Sequence, residues 1–254
     1  EELNSSFERR REHRTIRFFQ DERGETAQVE QIYEVMNRTA TSSGLQTYSV
    51  IRVTDQNIKD KIAEICKQAY VAHAPELCIL LVDQYRNTEI ARAKGDEAQH
   101  YGDMNNFFQG VADVYLAAQN MTNAIESLGL GAVYLGSVLN DAQAMIELLQ
   151  LPKFTFPLLG LAFGYPNDNP QLKPRMALDL KVGNNGYPFA PNHDYGEAIV
   201  GYDQAMTHYY DTRENNRRSD TFSDQIIAKQ KNTLLKRQTI LKIVESQGFD
   251  LGLE

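Results

Sequence analysis

Two basic clusters are the residues of this sequence best suited to chemistry. The first, His13-Arg14-Thr15-Ile16-Arg17, has three potential cations within five residues and runs directly into Phe18 and Phe19. The second, Lys173-Pro174-Arg175, lies far downstream. Basic helix ends are common, because Lys, Arg and His complement the negative end of the helix dipole. In a chain of net charge -8, two such clusters still need an explanation, and an anionic ligand held between them is one.

The composition restricts the class of protein. The 254 residues suffice for one large domain, which we predict to span residues 1–254. The acidic net charge disfavours nucleic-acid binding, because phosphate contacts need a basic face. No apolar run approaches the roughly 20 residues that a membrane span needs, and residues 1–4 lack the basic start of a signal peptide. We therefore expect a cytoplasmic protein with no nucleic-acid or membrane partner.

The spacing of cysteines and histidines disfavours metal and thiol chemistry. Cys66 and Cys78 form no Cys-x-x-Cys pair. The histidines outside the first basic cluster show no metal-ligand spacing, and they are His73, His100, His193 and His208. The sequence also lacks the nucleophile elbow, the zinc-protease motif, the P-loop and the EF-hand loop. We predict no metal site.

Apolar periodicity predicts the elements that must position the basic clusters. Helical spacing of apolar residues predicts helices, whereas β-branched or continuous apolar runs predict strands. The predicted helices are a short one before His13, one capped by Asp55, one at 142–149 capped by Asp141, and those at 27–37, 104–127, 198–210 and 221–247. The predicted strands are 48–54, 77–82, 129–137 and 158–164. The chain therefore mixes helices and strands.

A glycine-rich stretch, residues 129–137, resembles a dinucleotide-binding fingerprint only at its start. It begins Gly-x-Gly, but Tyr134 occupies the place of the third glycine, and β-forming residues follow where a helix should open. A strand ending at Gly136-Ser137 would instead let a ligand approach the backbone closely. The polar turn around Thr41-Ser42-Ser43 is either an ordinary loop or a set of hydroxyls facing a polar ligand.

Two segments fall outside the regular pattern. Residues 84–103 are polar and weakly periodic, and we predict a polar excursion there. Residues 211–254 contain a basic island that includes Arg213 and Arg217, followed by a long charged helix. Such a C-terminal arm could wrap around a partner subunit as easily as its own core.

Taken together, the motifs resemble those of the nitroreductase superfamily. More narrowly, the chain is similar to the NADPH-dependent FMN oxidoreductases of the oxygen-insensitive nitroreductase A and flavin reductase P group. The resemblance covers nearly the whole chain, and its motifs lie at residues 13–18, 40–46, 127–136, 172–175 and 215–224. Several motifs in the same order are a specific signal, whereas one would be weak.

The resemblance implies an α+β fold in which a mainly antiparallel central sheet is flanked by helices. It also implies that two protomers interlock as a homodimer, with non-covalently bound FMN at their interface. The whole chain, residues 1–254, would form this nitroreductase-like FMN-binding unit.

The resemblance also implies roles for individual residues. Arg17 would face the pyrimidine edge of the flavin, and the backbone N–H of Ser137 would lie near flavin N5, so these two are the predicted catalytic residues. The family usually has Gly-Gly where this chain has Gly136-Ser137. The predicted FMN-binding residues are His13, Arg14, Thr15, Arg17, Lys173 and Arg175 around the phosphate and ring edge, and Thr41, Ser42, Ser43, Gln68, Tyr134, Leu135, Gly136 and Ser137 around the ribityl chain and ring.

The implied reaction is a ping-pong hydride transfer from NADPH through FMN to a nitroaromatic, a quinone or free flavin. Arg213 and Arg217 would bind the 2′-phosphate of NADPH, since guanidinium groups suit a phosphate dianion. Within the enzyme class, the chain could chiefly reduce free flavin or chiefly reduce nitro compounds and quinones. From another class, it could be a flavin-binding module for storage or sensing without significant turnover.

Overall fold

The structure is a computed structural model that describes residues 2–252 except 23–25, 98, 191, 213–219 and 232–233, with side chains from residue 6 onward. The chain divides into two compact units, Glu1–Asn169 with Leu234–Glu254, and Pro170–Thr233. The single domain over residues 1–254 stays a prediction.

An antiparallel sheet is the centre of the first unit. Its strands, within the described residues, are β1 (Tyr48–Arg52), β2 (Glu76–Asp83), β3 (Gly131–Leu135) and β4 (Thr155–Gly164). Their order is β1-β2-β4-β3, and every neighbouring pair is antiparallel. The two central strands are buried along their whole length, as continuous apolar runs predict. The predicted α+β class with a mainly antiparallel sheet is confirmed.

Helices cover both faces of this sheet. In chain order, the helices of the described residues are α1 (Glu2–Arg11), α2 (Thr26–Asn37), α3 (Gln56–Cys66), α4 (Tyr85–Ala93), α5 (Met104–Ser127), α6 (Ala142–Leu148), α7 (Tyr195–Asp211), α8 (Phe222–Lys231), α9 (Leu235–Gln238) and α10 (Ile240–Ser246). Of these, α7 and α8 belong to the second unit, and the others belong to the unit that contains the sheet. Asp55 caps α3 by accepting the N–H of Ile58 at 3.0 Å, and Asp141 caps α6 by accepting the N–H of Ala144 at 3.2 Å. Both caps were predicted. None of the described helices is long and apolar enough to cross a membrane.

Alternate residues of β2 build two separate cores. Cys78, Leu80 and Val82 face the long helix α5, whereas Leu77 and Ile79 face α3 and α6. The α5 core holds Phe107, Val114, Met121 and Ile125, and the α3 core holds Ile62, Ala63, Cys66 and Met145. The sheet is therefore sandwiched between helical layers, and its strand ends carry the candidate site.

Two predictions about the periphery need comment. Residues 84–103, predicted as a polar excursion, begin with the regular helix α4. The prediction of one continuous helix over 221–247 is wrong, because the described residues there form α8, α9 and α10. Leu234 has an extended backbone, and Gln247 is anchored through its side-chain amide to the carbonyls of Pro152 and Thr155 at 2.9 and 3.0 Å. The extended backbone at Leu234 interrupts the helical pairing of the predicted span.

The second unit is built around α7 and α8. Asp203 on α7 accepts the backbone N–H of Ser223 at 2.9 Å and its hydroxyl at 2.6 Å. The Tyr202 and Phe222 rings pack edge to face with centroids 4.9 Å apart. These contacts join the start of α8 to the middle of α7.

Candidate functional site

The segment after the first basic cluster is anchored to the edge strand β3. Thr15 forms a parallel bridge with Ala132, and the Ile16 N–H donates to the Ala132 carbonyl at 3.0 Å. Ile16 is buried against Gly131, where an added Cβ would lie 2.4 Å from the Ile16 side chain. Glycine is therefore required at 131, and Ile16 fixes the two arginines that flank it, Arg14 and Arg17.

The same segment is also held by the residues that follow β4. The Gln20 N–H donates to the Tyr165 carbonyl at 2.9 Å, and the Asn167 N–H donates to the Phe18 carbonyl at 2.9 Å. These bonds bring the chain after β4 alongside Arg17. Local sequence patterns cannot predict this pairing, because about 150 residues lie between the two segments.

The first two residues of the basic cluster, His13 and Arg14, differ in their hydrogen bonding. The Nδ1 of His13 is bonded to Oε1 of Glu126, near the end of α5. Arg14 donates from Nη1 to the Glu12 carbonyl at 2.9 Å. The Nε of Arg14 is buried and has no hydrogen-bond partner among the described residues. Since an unmade hydrogen bond of a buried charged group is costly, this nitrogen is available for an anion.

Arg17 lies between a phenol and a carboxylate. Its positive charge acts on the Tyr70 hydroxyl. Burial raises the pKa of Tyr70, and the Arg17 charge opposes that rise. Burial likewise raises the pKa of Asp168, again opposed by Arg17. The Oδ1 of Asp168 is buried and has no hydrogen-bond partner in the described part of the chain.

The turn after β3 is fixed from two sides and open on a third. The Ser137 hydroxyl donates to Gln68 Oε1 at 2.8 Å, and the Gly136 carbonyl accepts from Nη2 of Arg237 at 2.7 Å. Arg237 also holds Asn140 Oδ1 through Nε and Nη2 at 3.1 and 2.9 Å. Gly136 is exposed, and a Cβ there would meet nothing within 4 Å. The backbone at Gly136 can therefore be approached by a flat ligand.

Two predicted contacts of this strand end have side chains directed elsewhere. The Tyr134 hydroxyl donates to the Ala118 carbonyl at 3.2 Å and accepts from the Thr122 hydroxyl at 2.7 Å, both on α5. Leu135 is buried in the core. Any ligand contact of Leu135 would thus come from its backbone, and the Tyr134 hydroxyl already has partners on α5.

The predicted polar turn is held by a buried carboxylate. Asp113 of α5 accepts the Ser42 N–H at 2.8 Å on Oδ1, and the Thr47 N–H and hydroxyl at 2.9 and 2.8 Å on Oδ2. Asp113 is fully buried. Between these anchors Ser43 adopts a left-handed backbone with φ of 51°, and its side chain is exposed, whereas Thr41 is half-buried. The turn is thus fixed to α5 rather than loose.

The remaining predicted residues belong to the second unit or lie outside the described residues. Arg175 donates from Nη1 to the carbonyls of Lys173 and Pro174 at 2.9 and 3.3 Å. The Lys173 ammonium lies 5.8 Å from the centroid of the Tyr210 ring. Arg213 and Arg217 lie outside the described residues. The roles of these four basic residues stay predictions.

The structure brings several predicted residues together around residues 68–70. Gln68 contacts Ser137, and Tyr70 contacts Arg17, so the turn containing both links the basic segment to the end of β3. Five further residues of the candidate site carry no recognisable motif in the sequence: Tyr70, Asp113, Glu126, Asp168 and Arg237. A polar residue inside an apolar helical stripe was a usable signal for Asp113.

Comparisons with known proteins agree on one family. The model described as "Nitroreductase family" matches residues 11–165, and that described as "Nitroreductase family, C-terminal domain" matches residues 173–252. An oxygen-insensitive NADPH nitroreductase of Salmonella typhimurium is 39% identical over 240 residues, which cover 93% of this chain and 95% of the relative.

Solved structures show the same similarity. NfrA1 of B. megaterium has a TM-score of 0.90 and 32% identity, covering 96% of this chain and 99% of that one. The NADPH:FMN oxidoreductase from Vibrio harveyi, complexed with NAD+, has a TM-score of 0.83 and 31% identity, covering 96% and 97%. With the family models covering most of its length, this chain belongs to the nitroreductase family.

Proposed function

We propose that this chain is an NADPH-dependent FMN oxidoreductase that reduces nitroaromatics, quinones or free flavin by a ping-pong mechanism. The family supports the reaction class, as do relatives named as an NADPH nitroreductase and an NADPH:FMN oxidoreductase. The chain is therefore an oxidoreductase that uses FMN and NADPH. What we propose beyond this reaction class is the set of electron acceptors and the ping-pong mechanism.

The buried, unpaired Nε of Arg14 is the observation that carries the FMN proposal. A phosphate dianion would supply the acceptor that this guanidinium lacks, through a charge-assisted hydrogen bond. The open backbone at Gly136 offers room for a flat ring. The residues present therefore fit a flavin mononucleotide, with Arg14 at its phosphate.

The chain's own residues would bind and orient the cofactor rather than react. FMN, when bound, supplies the two-electron chemistry that no side chain of this site provides. Arg17 would hold a positive charge at the pyrimidine edge, where negative charge increases on reduction. Ser137 would present its backbone N–H, because Gln68 holds its hydroxyl and Arg237 holds the preceding carbonyl. We propose that Thr41, Ser42 and Ser43 contribute polar contacts.

We propose that donor and acceptor occupy the same exposed face in turn, which gives ping-pong kinetics. The test is NADPH oxidation measured against a nitroaromatic, a quinone and free flavin at several fixed NADPH concentrations. Parallel double-reciprocal plots are expected. Intersecting plots would contradict the shared face, and the absence of NADPH oxidation with every acceptor would favour a storage or sensing role instead.

We predict that NADPH is preferred over NADH through Arg213 and Arg217. Each lost guanidinium contact to the 2′-phosphate should cost about 1–2 kcal/mol, or roughly 5- to 30-fold in NADPH affinity. Arg213→Ala and Arg217→Ala should therefore raise the KM for NADPH and leave that for NADH nearly unchanged. Steady-state assays at fixed low salt check this, with NADH as the internal control. Equal losses for both donors, or none, would contradict it.

We also predict a homodimer formed through the exposed face of α5. Phe108, Tyr115 and Leu116 lie on one side of this helix and are 63%, 48% and 51% exposed. Leu116→Glu should shift the protein toward a monomer in light scattering and weaken FMN retention. Ile90→Glu is the matched control, since Ile90 on α4 is 55% exposed and lies outside both α5 and the C-terminal arm. A wild-type monomer that holds FMN and turns over would remove this prediction.

A further inference from the structure

Arg17 and Asp168 are placed beside each other by backbone pairing. The Asn167 N–H donates to the Phe18 carbonyl at 2.9 Å. Arg17 directly precedes Phe18, and Asp168 directly follows Asn167, so the two charged residues lie on neighbouring segments. A bridge between Phe19 and Pro166 continues the same pairing. The backbone pairing therefore fixes the positions of Arg17 and Asp168 relative to each other.

One oxygen of the Asp168 carboxylate lacks a hydrogen bond although it is buried. Its Oδ1 is buried without a hydrogen-bond partner in the described residues, and the pair forms no close salt bridge there. The charge of Arg17 acts on Asp168 against the effect of its burial. A partly desolvated carboxylate in this state is destabilising by itself, so its placement beside Arg17 calls for a role.

We propose that Asp168 is the counter-charge that limits the positive field of Arg17 at the flavin-binding face. This inference rests on the proposed FMN function. Arg17 favours the reduced, more negative cofactor, and a fixed carboxylate beside it opposes that preference. Asp168 therefore lowers the reduction potential of the bound flavin, which keeps the transfer of electrons to weakly oxidising acceptors favourable.

The experiment compares the FMN-loaded wild type with Asp168→Asn, Asp168→Ala and Asp168→Glu. The reduction potential is measured spectroscopically against a reference dye, and the Kd for oxidised FMN by fluorescence titration of the apoprotein. Asp60→Asn is the matched control, because Asp60 is an exposed carboxylate of α3 paired only with Gln56 in the described residues. It changes the net charge without changing the surroundings of Arg17.

Both neutral variants should raise the potential. The ratio of the Kd for oxidised FMN to that for reduced FMN should increase by about 3- to 10-fold. The effect is this small because Arg17 is exposed, so that water and salt screen its interaction with Asp168. Asp168→Glu and Asp60→Asn should stay close to the wild type. Arg17→Ala should shift the potential in the opposite direction, and Arg17→Ala combined with Asp168→Asn should lie between the two single variants.

Two results would overturn the inference while leaving the proposed function intact. One is a wild type that binds FMN together with neutral variants whose potential is unchanged or lowered. The other is equal weakening of oxidised and reduced FMN in both neutral variants, which would make Asp168 a direct hydrogen-bond contact. If Asp168→Asn does not fold, Asp168→Ala gives the same comparison without a new amide. A wild type that does not bind FMN would overturn the proposed function as well.

Discussion

Asp113→Ala is expected to lower the free energy of unfolding by about 3–5 kcal/mol. The side chain is fully buried and accepts three hydrogen bonds, two from Thr47 and one from Ser42. Removing the carboxylate leaves these donors without partners, and each buried unsatisfied donor costs about 1–3 kcal/mol before local relaxation. The turn at 41–47 would lose its attachment to α5.

Urea unfolding followed by circular dichroism measures this loss. Asp113→Asn should give an intermediate loss, because one amide oxygen still accepts while the amide nitrogen meets a donor. Asp103→Ala is the control at the start of the same helix, since Asp103 directly precedes α5, is exposed and has a side chain that makes no capping bond. A loss below about 1 kcal/mol for Asp113→Ala would show that the turn does not depend on this carboxylate.

Arg14→Ala is expected to weaken FMN binding by about 1.5–3 kcal/mol, or roughly 10- to 150-fold in Kd. Charge-assisted hydrogen bonds to phosphate are among the stronger polar contacts, and the buried Nε of Arg14 has no competing partner in the described residues. Its position is fixed by Ile16, which the substitution leaves in place. The fold should therefore survive the change.

Fluorescence titration of the apoprotein with FMN gives the Kd. Arg10→Ala is the control, because Arg10 is an exposed residue of α1 in the same basic stretch. It should leave the Kd within about 2-fold, as expected for a solvated surface charge. An unchanged Kd in Arg14→Ala would mean that its unpaired nitrogen does not bind the phosphate.

Local patterns were sufficient to predict most of the fold. The apolar runs of β2 and β4, the stripe of α5, and the caps Asp55 and Asp141 depend on neighbours within a few residues. The prediction of a continuous helix over 221–247 failed because the backbone is extended at Leu234, directly before α9, where Arg237 bonds to Gly136 and Asn140 far away in the sequence. A charged helical pattern contains no information about such anchoring.

Some residues of the candidate site can be predicted from the sequence, and others cannot. Its basic motifs and the open Gly136 are visible in the sequence, because residue type alone makes them suited to anions and flat rings. Asp168 is not visible, since it reaches Arg17 only through the pairing of residues 18–20 with residues 165–167. Tyr70 is not visible either, because it lies in a separate turn more than 50 residues from Arg17 in the sequence. Arg237 likewise resembles any solvated helix charge until the fold places it on the Gly136 carbonyl.

Analysis of the purified protein for flavin shows whether this chain carries FMN and uses it with NADPH. The protein should be yellow, and heating should release a compound that co-elutes with FMN in an amount equimolar to the chain. Addition of NADPH without air should bleach the colour. A colourless protein that stays free of flavin after incubation with FMN would contradict the account.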